Sequence, residues 1–182
     1  TTMVETVNQA TFYLPNGEGI LVRPAHESDL PAMEWEGQYT HFRQLYADHF
    51  AASRLGTTLI YIAETLEGKM VGQIFLQLYA RNTDLADGIH RAYLFSFRIK
   101  PEYRSQGIGS FMLQFVEDQL LSRGFDSIRL NVARANVRAR KLYERHGYHI
   151  IGVDPGVWRY QDHLGEWHTV HEPAWKMLKK LR

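Results

Sequence analysis

The chain has 182 residues, 45% hydrophobic and 13% aromatic, enough for one domain with a substantial core and too apolar for overall disorder. Its 21 basic and 20 acidic residues leave a formal charge of +1 without the concentrated basic field of a nucleic-acid binder, so no nucleic-acid partner is expected. The absence of cysteine excludes a disulfide framework, thiolate metal sites and a cysteine nucleophile.

From the N-terminus, TTMVETVNQA lacks a signal-peptide pattern, and the apolar runs at 59–63 and 71–78 stop well short of a membrane span. A soluble, cytoplasmic protein with no membrane partner is expected. Residues 11–24, TFYLPNGEGILVRP, read as a strand, a turn and a second strand. Ser28 or Asp29 is the expected cap of a helix through Leu30, Met33 and Glu34, and two helical stretches fill 29–55. Two β-rich runs, 58–65 and 70–79, flank a turn containing Gly68 and predict a hairpin. A third strand over 92–100 is closed by Pro101. Ile108, Phe111, Met112, Phe115, Val116 and Leu120 then share one helical face, with Gly124 as the stop. Ile128, Leu130 and Val132 alternate as a strand, and Ala135, Ala139, Leu142, Tyr143 and His146 give a helix ended by Gly147. Further strands are expected in 148–153, 158–162 and 167–181. No repeat or linker divides the chain, so residues 1–182 are expected to form one α/β domain of α+β type, a β-meander feeding a strand-helix-strand-helix unit.

The segment joining the third strand to the helix reads EYRSQGIGSFMLQF, residues 102–115. An isolated Gly-x-Gly is by default a flexible turn. At a helix start it also lets successive backbone N–H groups converge on an anion, where the macrodipole favours negative charge. A Walker A loop is excluded, because Gly109 is followed by Ser110 and Phe111 instead of Lys-Ser/Thr. A dinucleotide fingerprint is excluded as well: its third glycine position holds Met112, and the next strand ends in Asn131 and Val132 without an acidic ribose ligand. What remains is Arg104-Ser105-Gln106-Gly107-Ile108-Gly109, an Arg/Gln-x-x-Gly-x-Gly/Ala pattern.

With LNVARANVRARKLYERHGY downstream, carrying Asn136, Tyr143 and Gly147, the text IKPEYRSQGIGS resembles the GNAT acetyltransferase superfamily. The element order from about residue 20 to 182 fits it, and residues 1–19 read as an extension at the edge. The resemblance implies a GNAT-like mixed, mostly antiparallel central sheet flanked by helices, with strands splayed at the cofactor site. It implies acetyl-CoA as donor and CoA as product. It further implies that the amides of Gln106, Gly107, Ile108, Gly109 and Ser110 bind the pyrophosphate beside Arg104 and Ser105. The main chain of Phe97, Arg98 and Ile99 would pair with the pantetheine arm, Asn136 would lie near the pantetheine amide, and Tyr143 would protonate the departing thiolate. The implied activity is transfer of acetyl to a primary amine of a small molecule or peptide, by direct attack in a ternary complex, carried out by a monomer or homodimer. A non-catalytic CoA-binding or sensing module is the alternative, and it would have no need of Tyr143.

Each of these residues also has a plainer reading. Arg104 alone is a solvated arginine, Asn136 a favoured helix cap, and Tyr143 a core aromatic beside Leu142. His163, His168 and His171 lack a helical His-x3-His arrangement, and no metal is expected. Amine acetylation requires removal of an ammonium proton, which for a lysine-like amine titrates near ~10.4. Many GNAT relatives carry a glutamate before the loop for this, whereas residues 92–98 here read AYLFSFR and leave the base unassigned, with Glu34, Glu36, Asp162 and Glu166 as candidates because the first helices and the last hairpin border the acceptor site in the family. With the cofactor half accounted for, the acceptor is expected between the helices at 29–55 and the hairpin at 158–175. There Glu34, Glu36, Asp162 and Glu166 would attract an ammonium group, and Trp35, Tyr39, Trp158 and Tyr160 would offer ring faces. Singly, each reads as a solvated acid or a core aromatic.

Overall fold

TLIYIAET and MVGQIFLQ are apolar on both alternating faces, which demands cover on both sides of a sheet. The structure, a computed structural model that describes residues 7–182, supplies that cover. Residues 1–6, the start of the expected extension, lie outside the described residues. The strands are β1 (Ala10–Tyr13), β2 (Gly19–Pro24), β3 (Thr58–Thr65), β4 (Met70–Gln77), β5 (Arg91–Ile99), β6 (Ser127–Ala133), β7 (His149–Asp154), β8 (Val157–Gln161), β9 (Trp167–His171) and β10 (Ala174–Lys180). The α-helices are α1 (Arg43–Arg54), α2 (Ile108–Ser122) and α3 (Val137–Arg145). Eight strands form one sheet in the order β1-β2-β3-β4-β5-β6-β10-β7, and β8 and β9 form a separate hairpin. On one face Ile108, Met112, Leu113 and Val116 of α2 join Ala63, Val71, Ile74 and Leu94 in the larger core. On the other, Met33, Phe42 and Tyr46 cover Ile60, Ile62 and Phe75.

All sheet pairings are antiparallel except β5 with β6, which is parallel and short: Arg91 to Leu94 pair with Ser127 to Leu130. Past Leu94 the two strands part, giving the expected splay. A bulge in β5 accompanies the parting. Phe95 opposes Phe75 and Arg98 opposes Gln73, with Ser96 at φ +47° absorbing the extra residue. The mixed, mostly antiparallel sheet flanked by helices is therefore present, and its one parallel joint opens part-way along.

Two local expectations need correction. Residues 29–55 are not two α-helices: a 3-10 helix spans Glu27–Glu34, a shorter one spans Thr40–Phe42, and only α1 is α-helical. Pro31 lies inside the first, and left-handed Trp35 and Glu36 (φ 48° and 55°) end it. Its N-cap is His26, not Ser28 or Asp29; Asp29 instead accepts the His26 N–H at 2.7 Å and pairs with Arg23 at 2.9 Å. Residues 167–181 are two strands separated at Glu172 and Pro173, and they pair with different partners. Among the described residues no helix is long and apolar enough to cross a membrane.

Candidate active site

The glycine loop closes β5 and opens α2. Arg104 is extended, Ser105 (φ +62°) and Gly107 (φ +90°) are left-handed, and α2 starts with the Phe111 N–H donating to Gly107 O at 3.0 Å. The amides of Gln106 through Ser110 find no acceptor among the described residues, so they converge unspent at the helix N-terminus. Side chains are excluded there on two counts. A Cβ on Gly107 would stand 3.1 Å from the Phe12 ring, in a backbone conformation L-residues avoid; one on Gly109 would meet Ile99 Cδ1 and Leu142 Cδ2 at 3.3 Å. A bare, amide-lined cradle of this kind suits a pyrophosphate.

Around it, Arg104 Nε donates to Ile99 O at 3.0 Å, and Arg138 Nη2 to Ser105 Oγ at 2.9 Å. Arg138, Lys141 and Arg145 line a hollow beside Ser105. The sequence reading missed this basic face, although its spacing of three and four residues, opposite Ala139, Leu142 and Tyr143, was visible in RARKLYER. Asn136 caps α3 by accepting the Ala139 N–H at 3.1 Å, and it also lines the main cleft.

That cleft, about 1080 Å³, passes through the gap between β5 and β6 and is lined from both faces of the sheet. Phe97, Gly109, Asn136 and Tyr143 line the α2 side; Tyr39, Phe42, His49, Phe95, Arg98 and Trp158 line the other. Tyr143 stands at the passage with its ring 6.4 Å from Phe97 and 5.7 Å from Tyr148. Burial, and then neighbouring Tyr93, push its hydroxyl well above the ordinary tyrosine range, so it is protonated at neutral pH. Tyr93 itself is pushed up to about 12 by burial and by the Asp154 carboxylate. Beside them the Asn131 Oδ1 is buried without a partner among the described residues. Asp154 and Glu172 are the acids lining the cleft. Asp154 is half-buried, with Oδ1 accepting the Gly156 N–H at 2.7 Å. The sequence reading missed Asp154, because only the packing of β7 beside β10 brings it to the gap.

Of the residues expected to receive an acceptor, Tyr39 and Trp158 line the cleft. Glu34, Trp35, Glu36, Tyr160, Asp162 and Glu166 do not. Glu34 takes a two-pronged bond from Arg43 (2.9 and 3.0 Å), which holds its carboxyl below the usual range. Glu36 bonds Lys100 Nζ at 3.2 Å, and Trp35 is buried edge-on to Tyr39. Tyr160 packs on Phe42 at 5.0 Å. Asp162 accepts His168 at 2.6 Å and the amides of Leu164 and Glu166 at 2.9 Å, and these bonds, His168 first, bring its carboxyl down to about 2. Asp162, Glu166 and His168 are close enough to suggest a metal, yet both Asp162 oxygens already serve the hairpin's own donors.

Comparison with known proteins identifies the family. The profile of the Acetyltransferase (GNAT) family matches residues 20–148. The [ribosomal protein bS18]-alanine N-acetyltransferase of Escherichia coli (strain K12) is 29% identical over 121 residues, 66% of this chain and 75% of that one. The crystal structure of the E. coli ribosomal-protein-S18-alanine N-acetyltransferase superposes with a TM-score of 0.66 at 22% identity, covering 89% of this chain and 94% of the other. Mycobacterium smegmatis RimJ in complex with CoA-disulfide gives 0.68 at 14% identity, covering 94% and 86%. With the family profile spanning β3 to β6, the glycine loop and α3, this chain belongs to the Acetyltransferase (GNAT) family and is an acetyl-CoA-dependent N-acetyltransferase.

Proposed function

We propose that residues 1–182 act as one domain that acetylates a primary amine of a small molecule or a peptide N-terminus, by direct attack where the cleft crosses the sheet. The observation that carries this is the continuity of the cleft. It joins the amide cradle on one face to an aromatic hollow on the other, so donor and acceptor enter from opposite sides and meet beside Tyr143. The peptide option draws support from the E. coli relative, whose name gives an alanine of a ribosomal protein as its acceptor.

Acetyl-CoA supplies an activated acetyl thioester. The amides of Gln106 to Ser110 bind its pyrophosphate, and Arg138, Lys141 and Arg145 add positive charge beside the phosphates. The splay frees the β6-facing edge of Phe97 to Ile99 for main-chain pairing with the pantetheine arm, and Asn136 borders the same channel. A β5 amide near Ile99 stabilises the negative charge that develops on the thioester oxygen. Tyr143 donates its proton to the departing thiolate and regains one from solvent. A model thiol titrates near ~8.5, so the protonated form of the product is favoured at neutral pH. Water in the cleft takes the proton that the amine loses as its nitrogen bonds to the acetyl carbon and relays it to Asp154, which lines the same cleft. Asn131 Oδ1, unsatisfied among the described residues, accepts from the incoming amine.

A ligand that binds only the native state raises its melting temperature, so thermal shift and calorimetry with acetyl-CoA, CoA, ATP and NAD test the first half. Acetyl-CoA and CoA are expected to bind, ATP and NAD not comparably; no CoA binding at millimolar ligand sinks the reading. CoA release in the presence of an amine panel tests the second half. Binding without turnover of any amine would instead favour a CoA-sensing module.

A further inference from the structure

The bulge in β5 has an effect on side-chain direction. Ala92 and Leu94 face the α2 core, and Phe95 faces the α1 side. Unbroken alternation would send residue 98 back toward α2, as a strand's period of two requires. With Ser96 absorbing one position, Phe97 and Ile99 pack on the α2 core while Arg98 emerges on the α1 side, in the acceptor half of the cleft. One residue thus serves two faces, its main chain at the cofactor edge and its guanidinium among the acceptor-side rings.

That guanidinium is held rigidly. It lies over the Tyr39 ring at 4.4 Å and the Phe42 ring at 5.5 Å, and Nη1 donates to Tyr46 Oη at 2.7 Å. Tyr46 is itself buried against Phe75, and Gln73 Nε2 donates to its hydroxyl at 3.4 Å. Three of the four carboxylates expected on this side are engaged elsewhere, Glu34 with Arg43, Glu36 with Lys100 and Asp162 with His168, and Glu166 makes no ion pair with Arg98. Arg98 has no carboxylate within ion-pair distance among the described residues, and its remaining N–H donors are unspent. A half-buried, pre-oriented fork without a counter-ion is what planar recognition of a carboxylate uses.

Resting on the acceptor placement proposed above, we infer that Arg98 anchors a carboxylate of the acceptor, so that the substrate is a primary amine bearing an acid group several bonds away. The separation follows from where the two groups must lie. The amine attacks the acetyl carbon at the β5 edge, near Ile99 and Tyr143, whereas the Arg98 head is drawn off toward α1, over the Tyr39 ring and onto Tyr46 Oη. An α-carboxylate sits next to its own amine, so reaching from the β5 edge to that guanidinium requires intervening bonds. The carboxylate comes either from a small ω-amino acid or from an acidic side chain just behind a peptide's N-terminus.

The test uses primary amines paired to differ only in the acid: 6-aminohexanoate against 6-aminohexanamide, and the amidated peptide Ala-Glu-Ala-Ala against Ala-Gln-Ala-Ala. CoA release gives kcat/KM for each member with the wild type, Arg98→Gln and Arg98→Lys, alongside CoA affinity. The wild type is expected to prefer the acidic member of at least one pair by about 10-fold, mainly through KM, in line with a charge-assisted bond. Which pair responds identifies the source of the carboxylate. In Arg98→Gln the ratio is expected to fall toward one, and in Arg98→Lys to an intermediate value. The ratio within one sample does not depend on how much of a variant is folded, so a merely structural role of Arg98 would leave it unmoved. Equal use of neutral and acidic members, a preference that survives Arg98→Gln, or no turnover of any acidic member while CoA still binds would each overturn the anchor. Failure of the wild type to bind CoA would overturn the preceding reading, and the anchor with it.

Discussion

The two ends of the cleft are built in opposite ways. The proposed cofactor end comes from one stretch of chain, β5 through α3, and its candidate donors are mainly backbone amides presented by left-handed Ser105 and Gly107 and by Gly109. The proposed acceptor end is lined by Tyr39, Phe42, Arg98, Asp154 and Trp158, which meet only because the sheet is folded. The first depends on what side chains are absent, the second on what charges are left over after pairing. Function common to a family can reside in local backbone geometry, whereas selectivity resides in long-range residual charge.

The sharpest way to break this contrast is Gly107→Trp. A side chain at φ +90° and facing Phe12 at 3.1 Å blocks approach to the amides, and CoA affinity is expected to fall below detection by calorimetry in a protein that keeps its circular dichroism spectrum. Retained affinity would show that the cradle does not hold the anion. Next in size, Tyr143→Phe is expected to lower kcat by about 100-fold with CoA affinity nearly unchanged, a loss of the size that removal of a general acid causes. A fall in CoA affinity of similar size would make Tyr143 a packing residue instead. Asp154→Asn keeps the shape and the bond to the Gly156 amide; it should cost about 10-fold or more in kcat/KM, checked by CoA release at fixed acetyl-CoA. A rate equal to wild type would move the base elsewhere, with Glu172 next in line.

The smallest effect concerns the β8–β9 hairpin that walls the acceptor end. Asp162 has its folded carboxyl lowered to about 2, chiefly by His168. Its contribution is therefore fully present above the ordinary carboxylate value of ~3.9 and is lost as pH falls through about 2. Fluorescence of Trp158 and Trp167 during acid titration should show the hairpin loosening in that window, and Asp162→Asn, which has no carboxyl to titrate, should abolish the change there.

The same contrast decides what could be read from the sequence. The hairpin at 58–77, the strand-loop-helix around Gly107 and the capped α3 are local patterns, and each was legible with its approximate limits. The glycine loop could be told from a Walker A or dinucleotide loop by Ser110, Phe111 and Met112 and by the missing acid at the end of the next strand. Residues 29–42 misled because Pro31 and two left-handed residues favour 3-10 turns over an amphipathic helix. Glu34, Glu36 and Asp162 looked available because their partners, Arg43, Lys100 and His168, are recognisable only once their approach is known. Asp154 and the outward turn of Arg98 depend on strand order and on one inserted residue at Ser96, neither of which has a composition signature.

Phe12 lies on β1, a four-residue strand at one edge of the sheet, and its ring stacks on Phe111 at 5.0 Å while covering Gly107. A short edge strand is among the first elements to fray, and each opening lifts that ring from the loop. With CoA on that loop as proposed, its residence time is expected to follow a local opening reaction in a segment N-terminal to the family-matched residues 20–148. Linkage makes the tie reciprocal: bound CoA should slow amide exchange across β1, and whatever loosens β1 should hasten CoA release, a gate far in sequence from the loop it governs.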